Sequence, residues 1–155
     1  MDRFEKLEQE AVATNVKIHK FDLSNTRIKG LYNNGHIALS DQLSASIEKA
    51  CVLAEELGHH HTTVGNIIDL SDPYSRKQER QARLWAYNKC IGLQGIIEAF
   101  EYGCKNRFEM AEFLEVTENF LQECIDCYRE KYGAGQMFEN YYIMFIPNLM
   151  VGKMI

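Results

Sequence analysis

Leu53-Ala54-Glu55-Glu56-Leu57-Gly58-His59-His60 is the stretch on which the reading of this chain turns. Leading into it, Leu43, Ile47, Ala50, Cys51, Ala54, Leu57 and Gly58 recur at spacings of three and four, the period of one helix face. The pattern predicts a helix that begins at Ser40 or Asp41 and runs to about His60. Residues four apart on a helix point the same way, so Glu55 and His59 share one stripe while Glu56 and His60 share the next.

Upstream of this helix, Ile28 to Leu39 places Asn33-Asn34-Gly35 between two short apolar runs, the sequence form of a tight hairpin with two antiparallel strands. Before it, Val16, Ile18 and Phe21 alternate with Lys17, His19 and Lys20, which reads as a further strand within Asn15 to Leu23. Asp2 to Val12 has helical character. Downstream, Thr62 to Pro73 carries Gly65, Asn66, Asp69, Asp72 and Pro73 and reads as a loop. A second helix follows with Ala82, Trp85, Ala86 and Lys89 on one side. Helices are then expected over Leu93–Tyr102, Arg107–Leu114 and Glu118–Tyr132. Tyr141 to Phe145 reads as a short strand, followed by a break at Pro147 and an extended tail.

The 155 residues are enough to bury one real core, and a single domain is expected over 1–155, with the sheet and the candidate site in 1–90 and a mainly helical part in 91–155. A net charge of −5 encodes no general attraction to phosphates or anionic lipid, so neither nucleic acid nor membrane is expected as a partner. The charged start, Met1 to Glu8, lacks the apolar stretch of a secretory signal, and no run is long enough to span a bilayer. A cytoplasmic protein is expected. Its five cysteines, odd in number and set in helical patterns, fit reduced thiols, and Cys124-x-x-Cys127 has no second pair at zinc-ribbon spacing.

Metal-dependent hydrolases of the His-Glu-x-x-His kind need two ligands one helical turn apart and a carboxylate directly after the first, to take a proton from water. Here Glu55 stands at the first ligand position, Glu56 at the base position and His59 at the second ligand position. Gly58 leaves room for another segment to approach. The frame Glu56 to His60 fails chemically, since its base position falls on Leu57. A third ligand is expected from Glu79, at the start of a helix whose Ala82 and Ala86 permit close packing, with water in the fourth position. The competing reading of Glu-Glu-x-x-His is a solvated charged face with pairs at four-residue spacing. His60, His61, Tyr32 and His36 are outer-shell candidates, and for Tyr32 and His36 an ordinary strand side chain is the competing reading.

These residues resemble the ImmA/IrrE family of metallopeptidases, in particular the short forms of bacteriophages and mobile elements. The likeness rests on Gly30-Leu31-Tyr32, on Glu48-Lys49 with Leu53 to His60 and Thr62-Thr63, on Gln78-Glu79 with Ala82, Trp85 and Ala86, and on Val116 to Phe120 and Lys131-Tyr132-Gly133. It implies an α+β, zincin-like fold, with a small antiparallel sheet packed on the active-site helix and a helical C-terminal half. It implies zinc at Glu55, His59 and Glu79, Glu56 as base, and a helix-turn-helix repressor as the protein cut. Glu55 departs from the family's usual first histidine. Two carboxylates and one imidazole cancel the charge of a divalent zinc and leave its water less acidic, and oxygen ligands bring manganese or iron into consideration.

Arg107 to Tyr132 also has the outline of a helix-turn-helix reader, joined near Val116-Thr117. Acids outnumber bases from Glu98 to Lys131, the reverse of what phosphate contact needs, so a structural or protein-binding module is expected there. A reading from another class keeps the scaffold without catalysis, as a pseudo-peptidase that binds a regulator or toxin.

Overall fold

The computed structural model describes residues 1–62 and 73–155, with backbone alone for 73–75. The loop expected over Thr62 to Pro73 lies outside the described residues, apart from its two ends. The chain divides into two compact units, Met1–Ala86 and Tyr87–Ile155.

The first unit opens with α1 (Arg3–Ala13), whose start is capped by the Asp2 carboxylate accepting from the Glu5 N–H at 2.9 Å. Three strands follow: β1 (Lys17–Phe21), β2 (Gly30–Asn33) and β3 (His36–Ser40). Asn34 and Gly35 both have positive φ (47° and 80°), the conformation of a two-residue hairpin turn, and β2 pairs antiparallel with β3 in the register Asn33↔His36. The fold is α+β with a small sheet on a helix, and one of the sheet's two pairings is parallel: β1 joins β3 with Lys17↔His36. In the strand order β1-β3-β2, His36 to Leu39 lies at the centre of the sheet. That segment is hydrogen-bonded on both sides, and β1 and β2 are the edges. Alternation fixes which face a residue takes but says nothing about which strand ends up in the middle.

Ile37 is fully buried and Leu39 6 % exposed, and this face lies against α2 (Ser46–Thr62), which also buries Ala50, Leu53, Ala54 and Leu57. The helix begins at Ser46, later than its periodicity implies. The N–H groups of Ser40 and Asp41 donate to the carbonyls of Lys29 and Phe21, extending the sheet, and Leu43 enters the core from the turn that follows.

A third helix, α3 (Pro73–Cys90), carries the chain into the second unit. There, α4 (Gly92–Tyr102), α5 (Arg107–Leu114) and α6 (Glu118–Tyr132) match the expected helices. Asn106 and Thr117 cap α5 and α6 by accepting from the N–H of Glu109 and Phe120. Ile96, Ile97, Leu121, Cys124 and Tyr128 form the helical core. In place of one short C-terminal strand there is an antiparallel sheet of β4 (Gly135–Phe138), β5 (Tyr141–Met144) and β6 (Met150–Lys153). β4 and β6 are four residues each, the first mostly half-buried and the second mostly exposed, too short and too weakly alternating to be read from sequence. The five cysteines are thiols, and burial pushes those of Cys124 and Cys127 upward in pKa, as suits core and helix residues without redox duty. No helix among the described residues is long and apolar enough to cross a membrane.

Candidate metal centre on α2 and α3

Gly58 decides how α2 meets α3. A Cβ there would lie 2.9 Å from the carbonyl carbon of Ala82 and closer still to its oxygen, so the two backbones touch at a point only glycine allows. Ala82 and Ala86 are fully buried on the α3 side, the small side chains this approach requires. One turn before Ala82 on α3 comes Glu79, and one residue after Gly58 on α2 comes His59. The contact therefore delivers a pair: His59 Nε2 lies 3.0 Å from Glu79 Oε2. Arg83, one turn further along α3, holds the other carboxylate oxygen at 3.3 Å.

Glu56 stands next to this pair. Its stem lies beside β2, where a Cβ on Gly30 would come within 3.1 Å of Glu56 Cγ and 2.7 Å of Val52 Cγ1, so a second glycine holds the strand against α2. Loss of water pushes the Glu56 carboxyl up to about 7, helped by the negative charges of Glu55 and Glu79 and opposed by His59. Burial alone would lower the His59 pKa, but the hydrogen bond it donates to Glu79 and the charges of Glu56, Glu79 and Glu55 outweigh it and raise the imidazole above its ordinary value. The Glu79 carboxyl is held below its ordinary range by the same hydrogen bond, with His59 and Arg83 adding charge against the cost of burial.

Of the expected ligands, His59 and Glu79 are in direct contact, and the half-buried Glu55 on α2 adds its negative charge at Glu56 and His59. Among the described residues, no group of three or more His, Cys, Asp or Glu side chains is gathered as a metal site. The pair itself suits a divalent cation. A tetrahedral zinc with bonds of roughly 2.1 Å sets its ligand atoms about 3.4 Å apart, so the imidazole and carboxylate need to open by only about 0.4 Å.

The sequence of residues 10–125 matches the metallopeptidase family described as the IrrE N-terminal-like domain. The chain belongs to the ImmA/IrrE family. No curated protein and no solved structure gives a match.

In this ImmA/IrrE chain the outer-shell candidates fall into separate groups. Tyr32 pairs across the sheet with the buried Ile37 and so faces α2, where its hydroxyl meets His60 Nδ1 at 2.8 Å and accepts from the Gly35 N–H at 3.1 Å. His61 stacks on Trp85 at 4.7 Å between ring centroids, with Glu10 at 4.0 Å. His36 lies on the opposite face of the sheet from Ile37, away from α2, and meets His19 at 3.0 Å. Sequence reading of this ImmA/IrrE member missed Arg83 and His19. Arg83 is legible as the residue four after Glu79. His19 becomes a partner of His36 only once β1 is known to lie beside β3.

Proposed function

We propose that this protein is a zinc-dependent endopeptidase of the cytoplasm that cuts a protein substrate, a helix-turn-helix repressor of a mobile element. The observation that carries the reading is the carboxyl of Glu56, tuned to about 7 by burial, beside the converging His59–Glu79 pair. A general base works best with a pKa near the operating pH, and structural carboxylates rarely sit there. Membership of a metallopeptidase family supports the same reading.

His59 and Glu79 would hold the metal, with Glu55 as third ligand at the position the family motif gives it. Zinc bound there supplies a Lewis acid for the scissile carbonyl and for the attacking water. Glu56 takes the proton from that water and passes it to the leaving amine nitrogen. His59, with Arg83 adding to it, keeps Glu79 ionised. The peptide is held by addition to the edge of β2, the strand whose Gly30 and Tyr32 flank Glu56 and His60. Tyr32 and His60 line that approach.

Metal analysis of protein purified without chelator, followed by zinc-loaded incubation with a helix-turn-helix repressor, tests the proposal. Zinc at one equivalent and cleavage that disappears in Glu56→Gln support it. A second reading, a pseudo-peptidase that grips a regulator without cutting it, is favoured by Glu55 in place of the usual histidine. Tight repressor binding without zinc and without cleavage would establish that reading instead.

A further inference from the structure

The outer face of the N-terminal sheet carries a second pair of imidazoles that the catalytic reading does not use. His19 on β1 and His36 on β3 are both exposed, their rings stack with centroids 5.3 Å apart, and His19 Nε2 lies 3.0 Å from His36 Nδ1. The pairing is built into the sheet. β1 and β3 run parallel in the register Lys17↔His36 and His19↔Ala38, so the two histidines are diagonal neighbours on one face. Strands hydrogen-bonded along their length fix both backbones, so little ordering is left to do when a ligand arrives.

We propose that His19 and His36 form a second metal site, a two-imidazole chelate for a late first-row divalent ion such as nickel or copper(II). The donors select the class of ion: imidazole nitrogens suit late first-row metals, and affinity for such a site rises through nickel to copper(II). Two nitrogens bound at roughly 2.05 Å are about 2.9 Å apart when they subtend a right angle at the metal and about 3.4 Å apart at the tetrahedral angle. The observed 3.0 Å is within about 0.4 Å of either spacing, so both rings reach one ion with little movement. In the empty pair one nitrogen carries the proton shared with the other. On binding, that proton leaves the shared nitrogen and a proton occupies the same ring's other nitrogen, so both rings stay neutral and both lone pairs meet the ion. The remaining coordination positions face solvent and take water. The ion clamps β1, an edge strand paired among the described residues with β3, to the middle of the sheet. This site stands on different residues from the catalytic one, and neither depends on the other.

The test uses the full chain after chelator treatment, titrated with nickel(II) alone. Wild type, His19→Gln, His36→Gln and Glu79→Gln are compared by calorimetry, by melting temperature, and by the paramagnetic broadening of histidine ring signals. The expected result is a nickel site, present in wild type and in Glu79→Gln, that broadens His19 and His36 and raises the melting temperature. Either His→Gln change should weaken it by roughly tenfold or more, because a chelate loses its second, pre-positioned arm. Both substitutions fall on exposed residues, and unchanged circular dichroism verifies the fold. Nickel affinity unchanged in both variants, broadening confined to His59 and its neighbours, or binding only at millimolar nickel would each overturn the proposal. Loss of binding in Glu79→Gln with full binding in His19→Gln would assign the nickel to the α2–α3 pair and overturn it as well.

Discussion

His59 Nε2 and Glu79 Oε2 meet at 3.0 Å, and they do so because Gly58 lets the backbone of α2 rest on the carbonyl of Ala82. A glycine thus sets the distance between two side chains that are twenty residues apart in the chain. The first prediction concerns that contact. Gly58→Ala gains helix propensity of roughly 1 kcal/mol, but it drives a methyl into backbone that cannot move aside, a cost of about 1–3 kcal/mol. The clash should win. Urea unfolding is expected to show a net loss of up to about 2 kcal/mol, and zinc retention should fall as the pair is pushed apart.

Removing Glu79 takes away the first cause of the upward shift at His59. In chelator-treated Glu79→Gln, the imidazole should titrate at lower pH than in wild type, followed by proton NMR. The lost charge-assisted hydrogen bond should cost about 1 kcal/mol near neutral pH, discounted for the solvent that reaches both partners. An unchanged His59 titration would show that the pair is not formed in solution.

Glu56 makes the metal-free protein less stable as pH rises. Its folded pKa, about 7, lies above the ordinary glutamate value of 4.5, so the folded state binds the proton more tightly. The contribution is full below about 4.5 and is lost as pH climbs to about 7, to a total of up to ~3 kcal/mol. Glu56→Gln, which mimics the protonated form, should flatten that slope in urea titrations of chelator-treated protein between pH 5 and 8, each pH held with roughly matched ionic strength. A slope unchanged by the substitution would place the carboxylate in contact with water.

Zinc should separate holding from chemistry. At a free concentration one hundred times its dissociation constant, an ion that binds only the folded chain adds about 2.7 kcal/mol to stability. That increment is expected in wild type and in Glu56→Gln, and should be absent in His59→Gln and Glu79→Gln. Cleavage of a repressor substrate should fall by roughly 10²–10⁴ in Glu56→Gln while zinc remains bound. Cleavage that survives would remove Glu56 from the proton-transfer role.

Tyr32→Phe should cost about 1 kcal/mol, because its hydroxyl joins the hairpin N–H of Gly35 to His60 Nδ1. If the β2 edge holds the substrate, the same change raises KM more than it lowers kcat. Parallel steady-state measurements would distinguish this from a role in the chemical step.

Much was written locally. The three-and-four recurrence leading into Leu57 identified α2 as a helix, Asn34-Gly35 fixed the hairpin, and the placement of Glu56 directly after Glu55 and three before His59 marked the candidate site, because helix period and turn geometry depend on near neighbours alone. Glu79 was likewise legible as a carboxylate ahead of two alanines. Only the tertiary structure decided which strand is central, that His59 meets Glu79, and that His36 turns outward to His19. Those outcomes depend on strand order and on the approach of whole helices, which are set by the joint burial of Ile37, Leu57 and Ala82 and leave no mark in any one segment.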